Sequence, residues 1–524
     1  MQILGFLCLF LCALSSSCYA YKALVVFPMP SRSHGILGEG VVKHLLKDGN
    51  EVTYITSIEY KNPPPTLHQI DISKETTPVL NASAQLNIKL ILDKTININD
   101  HSIMKPLILK LMTTTLETQG VKKLLNDKKQ NFDVVIVEWM FSELLSGLSA
   151  VFNCPLIWVS PMEVNSAVLT LIDARPNPAY NADIISSNIP PFTFRQRIDE
   201  LLTQLRLVYY NYMYYDSIES DEYMKRIAPF IVMRGRTPPA YDIVKFNASL
   251  VVGNSHSGMG DATSLPQSYK HIGGYHIDEN VKPLPEDLKK IMEGNEHGVI
   301  YFSMGSNLKS KDWPDEIKQS LLKMFGQLKQ TVLWKFEEDL PNTPRNVHIL
   351  KWAPQPSILA HKNCVLFISH GGLLSTTETI HYGVPIIGIP VFGDQFMNVR
   401  KAETRGFAVK VDLTYNIAED LKVAIVEVLS NPAYKNKVKE LSFIYHDRPV
   451  KPAQELVHWV RHVVKTHGAG HLRTPALDVP VYQRLYLDLI AIVLFVFAVI
   501  LYLLWSLYKA LFVKTKSRNS KKNK

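Results

Sequence analysis

Residues 367–395, FISHGGLLSTTETIHYGVPIIGIPVFGDQ, constrain this fold more than any other stretch. The apolar run VLFI at 365–368 breaks off at Ser369-His370-Gly371-Gly372. A strand that runs into a glycine turn has this form. Residues 373–382 then have helical length and are closed by Gly383 and Pro385, and a second apolar run at 386–389 ends at Pro390 and Asp394-Gln395. Strand, glycine turn, helix and strand make half of a doubly wound α/β unit. Such units bind ligands outside the carboxyl ends of their strands.

The turn predicts what is bound. Gly371 and Gly372 let a ligand approach the backbone. The helix behind them offers free N–H groups and the positive end of its dipole to an anion. His370 is placed to donate to a phosphate, and Glu378, farther along the helix, to accept from ribose hydroxyls. Asp394 and Gln395 suit sugar hydroxyls. Phosphate, ribose and sugar partners in one unit point to a nucleotide-sugar. His370-Gly371-Gly372, Glu378, Pro385, Pro390 and Asp394-Gln395 resemble, in order and spacing, the signature of the UDP-glycosyltransferases, and HGGLLSTTE resembles its invertebrate form. Leu374 stands where many members carry an asparagine that helps hold the phosphates. Ser375 and backbone N–H groups are the substitutes here.

Both ends of the chain read as targeting segments. Residues 1–20 have no charge, carry an apolar run and end in Cys18-Tyr19-Ala20, a small-x-small cleavage site, so a signal peptide ending at Ala20 is expected. Residues 489–507 are free of charge and long enough to span a bilayer, with Tyr502, Trp505 and Tyr508 near one edge. Lysines and an arginine follow, which predicts a cytosolic tail at 508–524 and catalytic domains on the luminal side. The final Lys521-Lys522-Asn523-Lys524 fits an endoplasmic-reticulum retrieval signal. A single-pass type I protein of that membrane is expected. Six basic residues from Lys514 onward account for most of the formal charge of +9, leaving +3 for the rest, so no nucleic-acid footprint is required. Of five cysteines only Cys154 and Cys364 lie outside the signal segment, beside apolar runs, and buried thiols are expected. Asn81 and Asn247 open glycosylation sequons.

Before the signature the alternation starts twice. Residues 23–27 read as strand, a helix opens at His34-Gly35, and 51–57 read as the next strand. Gly35, Gly38 and Gly40 give GxxGxG, which is not the dinucleotide fingerprint. Residues 103–125 read as one amphipathic helix, 133–138 as a strand ending in Glu138, 142–151 as helix and 156–160 as strand. Residues 161–245 read as irregular, with tyrosines at 209, 210, 212, 214 and 215 assigned mainly to packing. The linker 275–294 reads as loop, and strand 299–302 and helix 313–328 begin the second half. The expected organisation is a signal peptide at 1–20, an acceptor-binding α/β domain at 21–274, the linker, a UDP-sugar-binding α/β domain with closing helices at 295–480, and the span and tail. Two Rossmann-like domains facing a cleft are the GT-B architecture of the resembled family.

The resemblance implies the chemistry. The catalytic base falls on His34 and its carboxylate partner on Glu138, where members usually carry aspartate. Histidine suits the role because it titrates near working pH, and a carboxylate behind it fixes the tautomer. Trp352 would stack on uracil, Gln355 and Glu378 would hold ribose, and Ser306, His370, Gly372 and Ser375 would surround the diphosphate. No Asp-x-Asp occurs in the sequence, so a metal-independent, inverting transfer without a cofactor is expected, UDP-sugar being a co-substrate. Glucuronate-using members place an arginine near the position of Asn254, which favours glucose over glucuronate here. The implied acceptor is a small lipophilic hydroxyl compound, and homo-oligomerisation stays open. A glycolipid-type glycosyltransferase, a lipophile-binding protein with an inactive donor site and a dinucleotide oxidoreductase are the competing readings. The last lacks GxGxxG after a strand.

Overall fold

A computed structural model describes residues 20–83, 88–93, 101–172, 177–184, 186–259, 263–306 and 310–513. The signal segment before Ala20 and the basic tail after Val513 lie outside the described residues. The chain forms two compact units, divided between Leu472 and Arg473.

The first unit holds two all-parallel sheets. In the first, β1 (Lys22–Phe27), β2 (Glu51–Thr56), β3 (Leu67–Asp71), β4 (Val134–Glu138), β5 (Leu156–Ser160), β6 (Ala248–Gly253) and β7 (Tyr269–His271) take the order β3-β2-β1-β4-β5-β6-β7. In the second, β8 (Val299–Ser303), β9 (Thr331–Lys335), β10 (Val347–Leu350), β11 (Cys364–Ser369), β12 (Ile386–Gly388) and β13 (Ala408–Lys410) take the order β10-β9-β8-β11-β12-β13. Both repeat the 3-2-1-4-5-6 winding of dinucleotide-binding folds. The order reverses between β1 and β4, and again between β8 and β11, opening a crevice at each place. Helices cover both faces, so the central strands are buried along nearly their whole length. Each fully buried aliphatic side chain there contributes about 1.5–3 kcal/mol.

Several boundaries depart from the sequence reading. Helix α1 spans Arg32–Lys47, so it begins two residues before His34, with Ser31 extended at the N-cap. The expected helix at 103–125 is two helices, α2 (His101–Glu117) and Gln119–Asn126, because Thr118 between them is extended. Residues 161–245 are not irregular. They contain α3 (Phe194–Tyr210) and α4 (Asp216–Arg226), joined by the wide turn Asn211–Tyr215. A capping box opens α3: Thr193 accepts from Gln196 N, and the Gln196 side chain bonds back. This helix is inverted. Phe194, Ile198, Leu205, Val208 and Tyr209 are exposed, whereas Glu200 is buried and accepts from Asp183 N and Asn188 Nδ2. Tyr215 packs inside as expected, and Tyr214, though largely exposed, packs its ring against Tyr210 at 5.7 Å, whereas Tyr209 and Tyr212 are exposed. The linker, expected as loop, contains the helix Glu286–Glu293.

In the second half, α5 (Leu373–Tyr382) follows the glycine turn and α6 (Gln395–Thr404) follows Asp394. Helix α7 (Pro452–Lys465) returns to the first sheet. Its Leu456, Val460, Val463 and Val464 join one core with Val25, Leu45 and Val52. Cys154 is half-buried and Cys364 buried. Both are free, and burial pushes each thiol up to about 12. Asn81 and Asn247 are exposed.

In the second unit, α8 (Leu487–Tyr508) lies within a 25-residue apolar stretch, Leu487–Leu511, long and apolar enough to cross a membrane. The expected span at 489–507 falls inside it.

Candidate active site

The first crevice is built by β1, β4 and the start of α1. Glu138 is the last residue of β4, and His34 sits in the first turn of α1. Parallel pairing of β1 with β4 brings these ends together, and His34 Nδ1 bonds Glu138 Oε1 directly. The longer glutamate therefore reaches the ring where aspartate is usual. Glu138 has no exposed side-chain surface, and the His34 side chain is 14% exposed. Burial lowers the proton affinity of His34, but the charge and hydrogen bond of Glu138 oppose this, and the net shift is upward. Asp394, from the second half, adds to the upward pull. Nε2 remains to meet a ligand proton.

The second crevice carries His370 immediately after β11. Gly305, at φ +79° in the turn after β8, and Gly372, at the N-cap of α5, flank its ring. A Cβ on either would come within 2.6 Å or 2.5 Å of the imidazole, so only glycine admits the ring. Burial, with a smaller contribution from the charge of Lys335, lowers the His370 pKa to about 4. His370 is therefore neutral near pH 7 and can act only as a hydrogen-bonding dipole. Ser306 follows Gly305 and is exposed. Leu374, where the asparagine was expected, packs toward the core of the first sheet.

A third cluster lies behind this turn. Gln355 Nε2 donates to Glu378 Oε2 at 2.7 Å and to Ser375 Oγ at 3.2 Å, while Tyr301 OH donates to Gln355 Oε1 at 3.3 Å. Burial raises Glu378 to about 7, with the Gln355 bond opposing. Trp352, in the same loop as Gln355, is 63% exposed and offers an open ring face.

Asp394 is half-buried at the start of α6, accepts from Asn398 Nδ2 at 3.0 Å and has a raised pKa, from desolvation above all. Gln395 faces inward instead. Its Oε1 accepts from Val391 N at 2.9 Å and Phe392 N at 3.1 Å, which fixes the loop that carries Asp394. Asn254, the site of the absent arginine, is buried and donates to Pro161 O.

Sequence reasoning missed three groups. Lys335 ends β9 and donates to Gly305 O at 2.8 Å and to Glu337 Oε1 at 3.0 Å, putting a cation beneath the glycine turn. Asn398 also donates to Gly371 O at 3.1 Å, tying Asp394 to that turn. Lys401 bonds Glu163 at 2.7 Å across the two halves. A polar residue ending a buried strand, and the i, i+4 pair Asp394–Asn398, were the available signals.

Comparison with known proteins decides the family. The sequence pattern described as UDP-glucoronosyl and UDP-glucosyl transferase matches residues 22–522. The chain belongs to that family. This glycosyltransferase is 32% identical to UDP-glucosyltransferase 2 of Dactylopius coccus, over 97% of this chain and 98% of that one. It is 30% identical to human UDP-glucuronosyltransferase 2B7 over 72% of this chain and 69% of that one. Among solved structures, the kitacinnamycin glycotransferase superimposes with a TM-score of 0.55 at 16% identity, covering 84% of this chain and 99% of that one. VinC, solved with DTDP, gives 0.54 at 14% identity, over 85% of this chain and all of that one. The fold is the GT-B fold of two parallel-sheet domains, as expected.

Proposed function

We propose that this enzyme transfers glucose from UDP-glucose to a hydroxyl of a small lipophilic acceptor, inverting the anomeric carbon without a metal ion or cofactor, in conjugation and detoxification at the endoplasmic-reticulum membrane. One observation carries the reading: the buried His34–Glu138 pair feels the charge of Asp394 from the opposite half, so a base faces the loop proposed to hold the sugar. The acceptor hydroxyl gives its proton to His34 Nε2 as its oxygen bonds the anomeric carbon. The bond from that carbon to the β-phosphate oxygen breaks, and UDP leaves with the electron pair. Glu138 fixes the Nδ1–H tautomer and stabilises the imidazolium.

The diphosphate lies at the Ser306–His370–Gly372 turn and the N-terminus of α5, supported by Lys335 beneath it. Trp352 stacks on uracil. Glu378, oriented by Gln355, which also donates to Ser375, takes the ribose hydroxyls. Asp394 takes sugar hydroxyls, and Gln395 shapes its loop. Asn254 in place of arginine supports glucose as donor. The candidate span, the sequons at Asn81 and Asn247 and the terminal lysines support a luminal type I orientation.

The test uses microsomes from cells expressing the full chain, supplied with UDP-glucose or UDP-glucuronate and a panel of phenols, with conjugates followed by mass spectrometry. Glucoside formation that survives EDTA and is lost in His34→Ala is expected. Glucuronide alone would overturn the donor assignment, and activity lost in EDTA and restored by manganese would overturn metal independence. Binding of UDP-sugar with no transfer to any phenol would overturn the proposed acceptor class.

A further inference from the structure

The glycines of α1 have no part in the donor site, yet two of them are required by what lies beneath. A Cβ on Gly38 would come within 2.2 Å of the Tyr54 hydroxyl, and one on Gly40 within 3.0 Å of the Tyr275 ring. Both tyrosines thus press against α1 within two turns of His34. Strand register brings Glu138 to the same layer. Tyr54 is level with Val25 and Val25 with Ile136, so alternation puts Tyr54, Phe27, Ile136 and Glu138 on one face of the sheet. Tyr54, Tyr275, Phe27 and Ile136 belong to one core.

Among the described residues, Glu138 Oε2 and Tyr275 OH in this layer are buried without a hydrogen-bond partner, and Tyr54 OH, which makes no close bond, lies beside the Thr56 side chain. A buried carboxylate oxygen without a donor is costly, and a native structure gives such a group a partner. Burial and then the Glu138 charge hold the Tyr275 hydroxyl protonated, and for Tyr54 burial dominates, opposed by the Thr56 hydrogen bond, with the Glu138 charge adding to it. One captive donor, the Tyr275 hydroxyl, and one orphaned acceptor, Glu138 Oε2, therefore share a buried layer, with the Tyr54 hydroxyl beside Thr56 as a second donor.

We propose that Tyr54 and Tyr275 are positioning residues for the transfer. Their hydroxyls donate to Glu138 Oε2 through a bridging water, keeping its Oε1 on His34 Nδ1. This inference rests on the reading of His34 as base. Tyr54 from β2, Tyr275 from the segment after β7 and Asp394 beside α6 interact with the pair, and Tyr54 in turn meets Thr56 and the Arg32–Glu39 ion pair on α1.

A donor to Glu138 Oε2 satisfies that carboxylate in the state left when His34 is neutral and ready to act. Removing the donor raises the pH needed to reach that state. The full-length enzyme, as Tyr275→Phe, Tyr54→Phe and the double variant, is assayed for kcat/KM against pH. Each single change is expected to lower kcat by about 3–10-fold and to move the acidic limb upward by about half a pH unit, with the KM for UDP-sugar unchanged. In a Glu138→Gln background, Tyr275→Phe should no longer move the limb. A normal limb and rate in both single variants, with lower thermal stability only, would overturn the proposal and leave the tyrosines as packing. A His34→Ala variant that stays active would instead overturn the base reading.

Discussion

Two histidines stand at matching corners of the two sheets, and their protonation diverges. His34 follows β1 and His370 follows β11, each beside the point where strand order reverses. Both are held in sites that disfavour charge. His34 has a buried carboxylate on Nδ1 and ends with a raised pKa, whereas His370 has glycine turns, the Ser369 hydroxyl at 3.4 Å from Nδ1 and a nearby lysine, and falls to about 4. Burial acts in one direction on both rings, so the partner decides the outcome. The first ring suits proton transfer and the second suits neutral hydrogen bonding to an anion.

The largest expected effect separates these roles. His34→Ala should lower kcat by about 10³-fold, within the range for loss of a general base, with little change in the KM for UDP-sugar. His370→Ala should instead raise that KM by about 10-fold, the size of one lost hydrogen bond, and equally at pH 6 and pH 8 because the ring is neutral at both. Steady-state kinetics at the two pH values check this pair. Matching kcat losses in both variants would break the comparison.

Glu138→Gln gives a smaller effect with a defined sign. The Glu138 charge is the leading upward influence on His34, so its removal leaves burial in control and the folded pKa falls. The acidic limb of kcat/KM should move to lower pH, while kcat drops through loss of the oriented tautomer. A limb that stays in place would show that another group sets it.

Much of this site was legible because its features are local. The glycine turn at 371–372, the helix closed by Gly383 and the Asp394-Gln395 pair are contiguous, and a strand–turn–helix unit places them by chain geometry alone. The His34–Glu138 contact joins residues about a hundred positions apart, and only the resemblance to a family paired them in advance. Lys335 escaped because it ends a strand far from the signature and reaches the turn only through the β8–β9 pairing. Helix α3 escaped for a different reason. Its apolar stripe faces outward and its buried residue is Glu200, so hydrophobic periodicity gave no inward face to read. Its start was nonetheless written in Thr193 and Gln196.

Glu378 extends the comparison from bases to acids. It has no cation to match the role of Glu138 beside His34, and burial, opposed by the Gln355 bond, lifts it to about 7. Between the ordinary carboxylate range and pH 7 the folded state therefore holds a proton that the unfolded state has released. Stability must fall as pH rises through that window and level off once both states are ionised. Glu378→Gln removes the titration and keeps the hydrogen-bonding shape. The variant should match the wild type near pH 5 and exceed it at pH 8 by on the order of 1–3 kcal/mol, read as a higher Tm at the higher pH alone. An equal Tm difference at both pH values would mean that Glu378 is ionised throughout, with Gln355 outweighing burial there as Glu138 does at His34.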